Sequence, residues 1–308
     1  MGEDYPTTLM DMEERFSNEA ACRDYLSALR WPTGFMCPGC GATNAGRMQR
    51  GLWHCRSCGR QTSVLAGTVF QDTHLSMVVW FRAMWHMTSQ KNGISALGLQ
   101  RVLGLGSYRT AWTMLHKLRR AMVRPGRDRL RGLVEVDETY WGAQEKGVIG
   151  RRTEEKAMIA VAVEIKGVDM GRIRLARVPD LSGNTLHRFI AHAIEPGSTV
   201  RTDGLRAYRG LKGYSHDPQI QKHQVEGEHL LPHVHRVVSL LKRWLLGTHQ
   251  GSIAHAHLDD YLAEFTFRFN RRLSASRGKL FYRLVQQAVR VAPYPYAAVT
   301  NPQPVVPS

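Results

Sequence analysis

The sequence has few acidic residues, few cysteines and no long hydrophobic run. Only 26 Asp and Glu stand against 42 Lys and Arg, which leaves a formal net charge of +16 at pH 7. Such an excess of positive charge attracts polyanions, so nucleic acid is the first partner to consider and an acidic membrane surface the second. Five cysteines in 308 residues are too few for a disulfide-stabilised scaffold.

The same scarcity of apolar runs argues against a membrane protein. The richest stretch, Met77 to Trp85, is shorter than the roughly 20 residues of a membrane span and contains Arg82. The N-terminal segment is acidic, whereas a signal peptide starts basic and continues apolar. The sequence therefore predicts a cytoplasmic protein, and its length favours two or three domains.

Four of the five cysteines form two tight pairs. Two residues separate Cys37 from Cys40 and Cys55 from Cys58, and fourteen residues lie between the pairs. This is the spacing of a four-thiolate zinc ribbon, in which each pair supplies two sulfurs to one tetrahedral ion. We therefore expect a structural zinc site. Cys22 stands alone in a helical segment and is expected to be a core residue.

Two helices around a glycine turn are predicted between Ile94 and Met122. The turn is Gly104 to Gly106, and Ser107 is a suitable N-cap for the second helix. That helix carries Arg109 and Lys117 beside an apolar stripe. Helix, turn and helix with basic side chains is the outline of a DNA-binding helix-turn-helix, although the same charges also suit a solvated face. We expect Arg109 and Lys117 to contact DNA.

The pattern changes after the polar, basic segment from Arg124 to Gly132. Three β-branched runs follow, then a helix, a strand from Thr199 to Asp203, and a long helical region from about Leu230. This order is that of a ribonuclease-H-like domain, so the predicted fold class is α/β. The predicted segments are an N-terminal helix in residues 1–35, the zinc ribbon in 36–68, a helix-turn-helix region in 69–123, a ribonuclease-H-like catalytic domain in 132–290 and a flexible tail in 291–308.

Two aspartates mark predicted strands of the catalytic domain. Asp137 lies in the first strand, in the run Val-Glu-Val-Asp-Glu-Thr, and Asp203 ends a later strand just before a glycine. An acid among β-branched neighbours is costly to bury unless it binds something. Two carboxylates side by side can hold divalent cations that activate water for phosphoryl transfer. Asp137 and Asp203 are therefore candidate metal ligands, although each alone also suits a structural role.

The combined motifs resemble those of DDE-type transposases of bacterial insertion sequences, in the ISXO-like group with a zinc ribbon. They are the ribbon, the helix-turn-helix outline, VDET, TDG followed by AY, LLKRW, GTHQG and YLAEFTFRFNRR. The resemblance implies cleavage and strand transfer at terminal inverted repeats, dependence on Mg²⁺ or Mn²⁺, and a homo-oligomer that joins two DNA ends. It also implies that Asp137 and Asp203 are the first two acids, and that Lys242 is the basic residue beyond the third. We expect Lys242, together with Arg243, to contact phosphate.

The third acidic position departs from the family pattern. An acid or amide is expected seven residues before Lys242, and His235 occupies that place. His235 is therefore the candidate third catalytic ligand, unless Glu226 or Glu228 supplies the carboxylate and His235 has no ligand role. Two rival functions remain open: a catalytically inactive relative that acts only as a DNA-binding or repressor module, and a nuclease or resolvase of the same fold without strand transfer.

Overall fold

The structure is a computed structural model that describes residues 3–124, 126–142, 156–220 and 230–302. Within these ranges the chain divides into two compact units. The first joins residues 3–124 to 273–302, and the second covers the described residues between 126 and 272. None of the helices in these ranges has both the length and the apolar composition needed to cross a membrane.

The first unit begins with two short helices instead of the single N-terminal helix predicted within residues 1–35. They are α1 (Leu9–Arg15) and α2 (Glu19–Arg30). The break has a local cause, because the side chain of Asn18 accepts the backbone N–H of Ala21 and so starts a new helix. Thr8 caps the first helix in the same way, at Asp11. The apolar spacing alone does not reveal these capping residues, which divide the predicted single helix into two.

The zinc-ribbon segment forms a small antiparallel sheet. Its strands are β1 (Ala45–Arg47), β2 (Trp53–Cys55) and β3 (Gln61–Thr62), in that order. The rings of Phe35 and Trp53 stack with 5.1 Å between their centroids, next to the buried Cys37 and Cys55. So small a sheet has little apolar core, and a bound metal ion can supply the folding energy that the core does not.

Three helices follow, and the last two are the pair predicted between Ile94 and Met122. They are α3 (Met77–Ser89), α4 (Ala96–Leu103) and α5 (Tyr108–Ala121). Gly104 ends α4 in the left-handed conformation, with φ at 62°, which glycine adopts without steric cost. The hydroxyl of Ser107 accepts the backbone N–H of Arg109 and caps α5. The predicted pair of helices is present, and its identity as a DNA-reading helix-turn-helix stays a prediction.

The second unit is built on a five-stranded sheet. Its strands are β4 (Leu133–Trp141), β5 (Ala157–Lys166), β6 (Asp169–Val178), β7 (Thr199–Asp203) and β8 (Ser215–Gln219). They lie in the order β6-β5-β4-β7-β8, and β5 runs antiparallel to the other four. Counted from the first strand of the unit, this order is 3-2-1-4-5, which is the arrangement of a ribonuclease-H-like sheet. The predicted α/β fold class is confirmed.

The sequence pattern does not predict β8, which the structure adds at the edge beyond β7. Its sequence, Ser-His-Asp-Pro-Gln, is polar and contains Pro218. A proline lacks the N–H that a central strand needs, but an edge strand pairs on one side only and tolerates it. Backbone pairing with β7 defines this strand, and side-chain hydrophobicity gave no signal for it.

Helices cover both faces of the sheet. They are α6 (Gly183–Ala193) on one face, and α7 (Pro232–His249) with α8 (Leu258–Phe269) on the other. In β4, Val136 packs in the core under α6, whereas Trp141 packs in the core under α7 and α8. Because successive side chains of a strand alternate, Glu135 and Asp137 share the face of Trp141.

Helix α9 (Arg277–Ala288) belongs to the first unit. The ring of Phe281 lies 5.6 Å from that of Phe81 and 5.8 Å from that of Trp85, both on α3, measured between centroids. The sequence pattern placed the end of the catalytic domain at residue 290, and the structure moves the end of the second unit back to Arg272. The reason is that the apolar face of α9 is buried against α3.

The segment after residue 290 differs from the predicted flexible tail. It contains a short helix, α10 (Tyr296–Thr300), in which Val299 is buried. Tyr294 is buried as well, and the guanidinium of Arg120 lies 5.0 Å from the centroid of its ring. The proline-rich composition predicted little of this, because the contacts join residues far apart in sequence. Residues 303–308 of the predicted tail lie outside the described residues.

Candidate active site and metal centre

Parallel pairing of β4 with β7 brings Asp137 and Asp203 together. The register pairs Glu135 with Arg201, and each aspartate stands two residues further along its strand. Side chains two residues apart share a face. Asp137 and Asp203 therefore occupy adjacent positions at one end of the sheet, as the sequence pattern predicted.

Glu138 adds a third carboxylate to this pair. Oxygen atoms of Asp137, Glu138 and Asp203 all lie within 4.8 Å of one another, and the three residues are partly buried. Carboxylate oxygens are the ligands that Mg²⁺ and Mn²⁺ prefer, so the cluster suits a divalent cation. Glu138 was not among the predicted site residues, although two consecutive acids within a β-branched strand are a signal for it.

Backbone N–H groups direct the two aspartates. Oδ1 of Asp137 accepts the N–H of Glu138 at 2.8 Å, and Oδ1 of Asp203 accepts the N–H of Leu205 at 3.1 Å. Hydrogen bonds to an ionised carboxylate are stronger than those between neutral groups. The two side chains are therefore held in place by the chain segments that carry them.

Tyr208 supports Glu138 from the core under α6. Its side chain is fully buried, and its hydroxyl donates a hydrogen bond to Oε2 of Glu138 at 3.0 Å. Burial, followed by the negative charge of Glu138, raises the pKa of Tyr208 well above its usual range. The phenol therefore stays protonated and remains a donor. The TDG and AY motifs thus supply both Asp203 and the residue that holds Glu138.

His235 reaches the cluster from α7. Its Nε2 lies 3.5 Å from Oδ2 of Asp137, and its side chain is 49% exposed. An imidazole so close to a carboxylate and still open to solvent is placed to share a cation or to contact DNA. The alternative donors Glu226 and Glu228 lie outside the described residues.

Lys242 and Arg243 follow on the same helix. Lys242 comes seven residues after His235, nearly two turns, so both lie on the same side of α7 about 10 Å apart. Lys242 is partly buried and Arg243 is exposed. The helix that carries His235 therefore also presents positive charge further from the carboxylates.

The four predicted zinc ligands come together in the ribbon. The sulfurs of Cys37 and Cys58 are 3.7 Å apart and those of Cys40 and Cys55 are 3.6 Å apart, within a cluster no wider than 4.8 Å. A tetrahedral zinc ion with sulfur ligands at about 2.3 Å spaces the sulfurs about 3.8 Å apart. The ribbon therefore fits a structural zinc ion. Cys22 is buried in α2, as expected of a core residue.

Backbone N–H groups favour the thiolate form of two of these cysteines. The N–H of Gly39 lowers the pKa of Cys37, and the N–H of Cys58 lowers the pKa of Cys55 to about 6. The thiolate is the form that binds metal. Four sulfurs this close cannot all ionise without a cation between them, because neighbouring thiolates repel. The stability of the ribbon is therefore coupled to zinc.

Helix α5 presents its two predicted DNA contacts differently. Arg109 is exposed, and its guanidinium lies 5.6 Å from the centroid of the Tyr296 ring. Lys117 is half-buried two turns later, and burial lowers its pKa. Arg109 therefore offers its charge to solvent more fully than Lys117.

Two parts of the chain match known protein families. Residues 129–270 match the ISXO2-like transposase domain, and residues 17–61 match the transposase zinc-ribbon domain. An uncharacterized protein in transposable element ISH50 of Halobacterium salinarum is 28% identical over 282 residues, which are 82% of this chain and 91% of that protein. The catalytic core domain of BIV integrase is 15% identical with a TM-score of 0.30, over 43% of this chain and 80% of that one.

The strand order, the paired aspartates and the two matched domains define the class of protein. It is a DDE-type transposase in which a zinc ribbon precedes a ribonuclease-H-like domain. Within that class, residues 129–270 match the ISXO2-like transposases, and residues 17–61 match the zinc ribbon of transposases. The family that the sequence motifs predicted is confirmed.

Proposed function

We propose that this transposase binds the terminal inverted repeats of its insertion sequence, cleaves DNA there with divalent metal ions, and joins the freed 3′-hydroxyl to target DNA. One observation carries the proposal. The β4–β7 register sets Asp137 beside Asp203 at the end of a ribonuclease-H-like sheet, and Glu138 joins them. A carboxylate cluster in this position suits phosphoryl transfer.

Asp137 and Asp203 would hold the catalytic cations, with Glu138 beside them. Mg²⁺ or Mn²⁺ bound there would activate a water molecule and stabilise the leaving oxygen. The N–H groups of Glu138 and Leu205 direct the two aspartates in advance, and Tyr208 directs Glu138. Oxygens already in position need little rearrangement when metal and DNA arrive, which lowers the barrier to reaction.

His235 would be the third catalytic ligand, in the place where the family pattern has an acid or amide. Its support is the 3.5 Å distance between Nε2 and Oδ2 of Asp137. Mg²⁺ strongly prefers oxygen ligands, whereas Mn²⁺ accepts imidazole more readily. A site of two aspartates and one histidine should therefore work better with Mn²⁺.

Three parts of the chain would bind DNA. The zinc ribbon and α5, through Arg109 and Lys117, would bind the terminal repeats, and Lys242 with Arg243 would contact phosphate near the carboxylates. The net charge of +16 supports this, since each phosphate contact releases a counterion. Two element ends must be joined, so we also propose that the transposase acts as a homo-oligomer of at least two subunits.

The test is cleavage of DNA that carries the terminal repeat. Asp137→Asn and Asp203→Asn should each abolish cleavage and leave DNA binding intact, because an amide keeps the shape but not the charge that balances the cations. Asp169→Asn is the matched control, since Asp169 is an exposed aspartate at the start of β6 and its variant should cleave normally. Full activity of either site variant would remove that residue from the mechanism.

An inactive DNA-binding relative is the second candidate, and the histidine at position 235 is the observation that favours it. Cleavage by His235→Ala, His235→Glu, Glu138→Gln, Glu226→Gln and Glu228→Gln separates the cases. If only His235→Glu is active, the chain is a decayed transposase that binds DNA. If His235→Ala stays active and one glutamate variant does not, that glutamate is the third ligand.

A further inference from the structure

A second acid of β4, Glu135, is buried beside the site but outside it. Its side chain is fully buried, and it lies two residues before Asp137 on the same face of the strand. Oε2 of Glu135 accepts the backbone N–H groups of His233 and Val234, each at 3.0 Å, and Oε1 accepts Nδ1–H of His233 at 2.8 Å. Three donors compensate the cost of burying this carboxylate.

These bonds do for α7 what an N-cap residue does for other helices. The residue at the cap position, Leu231, has no side-chain oxygen, and Pro232 follows it at the first helical position. His233 and Val234 are the next two positions, whose N–H groups a capping side chain normally accepts. Glu135 therefore caps α7 from a different element, and its negative charge suits the positive end of the helix dipole.

The cap connects the two elements that carry the site. Asp137 lies two residues after Glu135 on β4, and His235 lies one residue after Val234 on α7. A slip of α7 by one residue would rotate His235 by about 100° around the helix axis and shift it by about 1.5 Å. The bonds of Glu135 to the first turn oppose such a slip, and so maintain the 3.5 Å contact between His235 and Asp137.

The ring of His233 fixes the first turn of α7 on its other side. Nδ1 faces Glu135, and Nε2 lies 3.3 Å from the carbonyl oxygen of Val168, in the turn between β5 and β6. The beginning of α7 is thus hydrogen-bonded to β4 and in contact with the turn between β5 and β6. These contacts restrict both rotation of α7 about its axis and sliding of α7 along that axis.

We propose that Glu135 is a positioning residue for the metal site, which acts through the first turn of α7 to place His235 against Asp137. This inference rests on the proposed function, because it takes His235 as a ligand. Both oxygens of Glu135 are bonded to α7, so Glu135 itself would contact neither metal nor DNA. A buried acid with only a structural role would stabilise the fold in the same way, but it would not change the metal affinity through His235.

Mn²⁺ binding to the full-length protein without DNA tests the proposal, in wild type, Glu135→Gln, His235→Ala and the double variant. Glutamine has nearly the shape of glutamate and can still accept an amide N–H, but it loses the charge. Groups that orient a ligand typically change metal affinity by about 10- to 100-fold. We expect Glu135→Gln to weaken Mn²⁺ binding by about tenfold, and to have no further effect once His235 is alanine.

Glu164→Gln is the matched control. Glu164 is also a buried glutamate of the sheet, paired with Arg172 at 2.9 Å, and the described contacts do not link it to α7. Its variant should lose stability without losing Mn²⁺ affinity. If Glu135→Gln fails to fold, His233→Ala takes its place, since it removes both contacts of the imidazole ring and keeps the capping carboxylate with its two backbone N–H bonds. Hydrogen exchange measures the loss of the cap directly. The amide hydrogens of His233 and Val234 should exchange faster in Glu135→Gln than in wild type. In His233→Ala, the amide hydrogen of Val234 should exchange faster.

Three results would overturn the inference. They are unchanged Mn²⁺ affinity in the folded variant, an equal loss in wild-type and His235→Ala backgrounds, or no effect of His235→Ala itself. The proposed function fails in a different way: Asp137→Asn and Asp203→Asn would leave Mn²⁺ binding unchanged, whatever Glu135 does. A protein that does not cleave DNA could still show the expected dependence of Mn²⁺ affinity on Glu135 and His235. That result would support the positioning role and favour the inactive DNA-binding relative over the active transposase.

Discussion

Three carboxylates within 4.8 Å of one another repel when no cation lies between them. Their backbone and phenol donors lessen this repulsion, since Asp137, Asp203 and Glu138 each accept a hydrogen bond. The remaining repulsion destabilises the metal-free folded state, and it keeps the oxygens in the arrangement that binds metal. Removing one of these charges should therefore increase the stability of the metal-free protein and weaken metal binding.

We predict that Asp203→Asn melts at a higher temperature than wild type in metal-free buffer. The amide oxygen can keep the bond from the Leu205 N–H while the charge is lost, so on the order of 1 kcal/mol of repulsion is relieved. For a chain of this size the melting temperature should rise by roughly 2–4 °C. Calorimetry in chelator checks this.

Addition of Mn²⁺ supplies the control for that measurement. It should raise the melting temperature of wild type and of Asp169→Asn, because a ligand of the folded state stabilises it. Mn²⁺ should raise the melting temperature of Asp203→Asn much less. A variant that responds to Mn²⁺ as strongly as wild type would show that Asp203 does not bind the cation.

Helices and strands were predictable where a local signal defined them. The bounds of β7 match the predicted strand, and Ser107 caps α5 as expected. The edge strand β8 was missed because its pairing to β7 leaves no hydrophobic pattern. The site was half predictable for the same reason. Asp137 lies among apolar residues of β4 and Asp203 ends β7, whereas the hydrogen bond from His233 to Glu135 joins residues 98 positions apart.

The ribbon should depend on zinc more than any other part of the described structure. We predict one zinc per chain and loss of the ribbon fold in Cys37→Ser or Cys55→Ser, because structural zinc supplies on the order of 10 kcal/mol to such small units. End-specific DNA binding should be lost while the second unit stays folded. Metal analysis and circular dichroism measure this, with Cys22→Ser as the control that should keep its zinc. A purified protein without zinc would contradict it.

Helix α5 should contact DNA through Arg109 more than through Lys117. We predict that Arg109→Ala weakens binding to the terminal repeat by about 1–3 kcal/mol if the arginine reads a base, and relaxes the sequence preference as well. Lys117→Ala should weaken binding less, because that side chain is half-buried. Fluorescence anisotropy at several salt concentrations measures both.

Arg290→Ala controls for the loss of one charge in that experiment. Arg290 is an exposed arginine just beyond α9, so its variant should change only the salt-dependent part of the affinity. If Arg109→Ala behaves like Arg290→Ala, with unchanged sequence preference, α5 has a structural role and the recognition function lies elsewhere.

The order of the chain does not match the order of its compact units. The first unit needs residues from both ends of the sequence, because Phe281 of α9 packs against Phe81 and Phe16. At Gly278 a Cβ would overlap the carbonyl oxygen of Pro6, so the N-terminal segment lies directly on α9. The second unit, by contrast, is one continuous stretch of chain with its own two cores.

We predict that a fragment of residues 126–272 folds by itself, whereas residues 3–124 do not. Without α9 the first fragment exposes the aromatic surface that Phe281 covers, and large apolar truncations in a core cost about 3–5 kcal/mol per aromatic residue. That is a large part of the total stability of a domain. Fusing residues 273–302 to the first fragment through a flexible linker should restore its fold.

Near-ultraviolet circular dichroism and thermal melts of the three fragments check this, and Gly278→Ala in the full chain tests the same contact. That variant should destabilise the first unit. Gly247→Ala is the control, because Gly247 lies inside α7 with open space around a Cβ, so alanine there should be neutral or stabilise the helix by up to about 1 kcal/mol. A cooperatively folded 3–124 fragment would show that α9 is dispensable for the first unit.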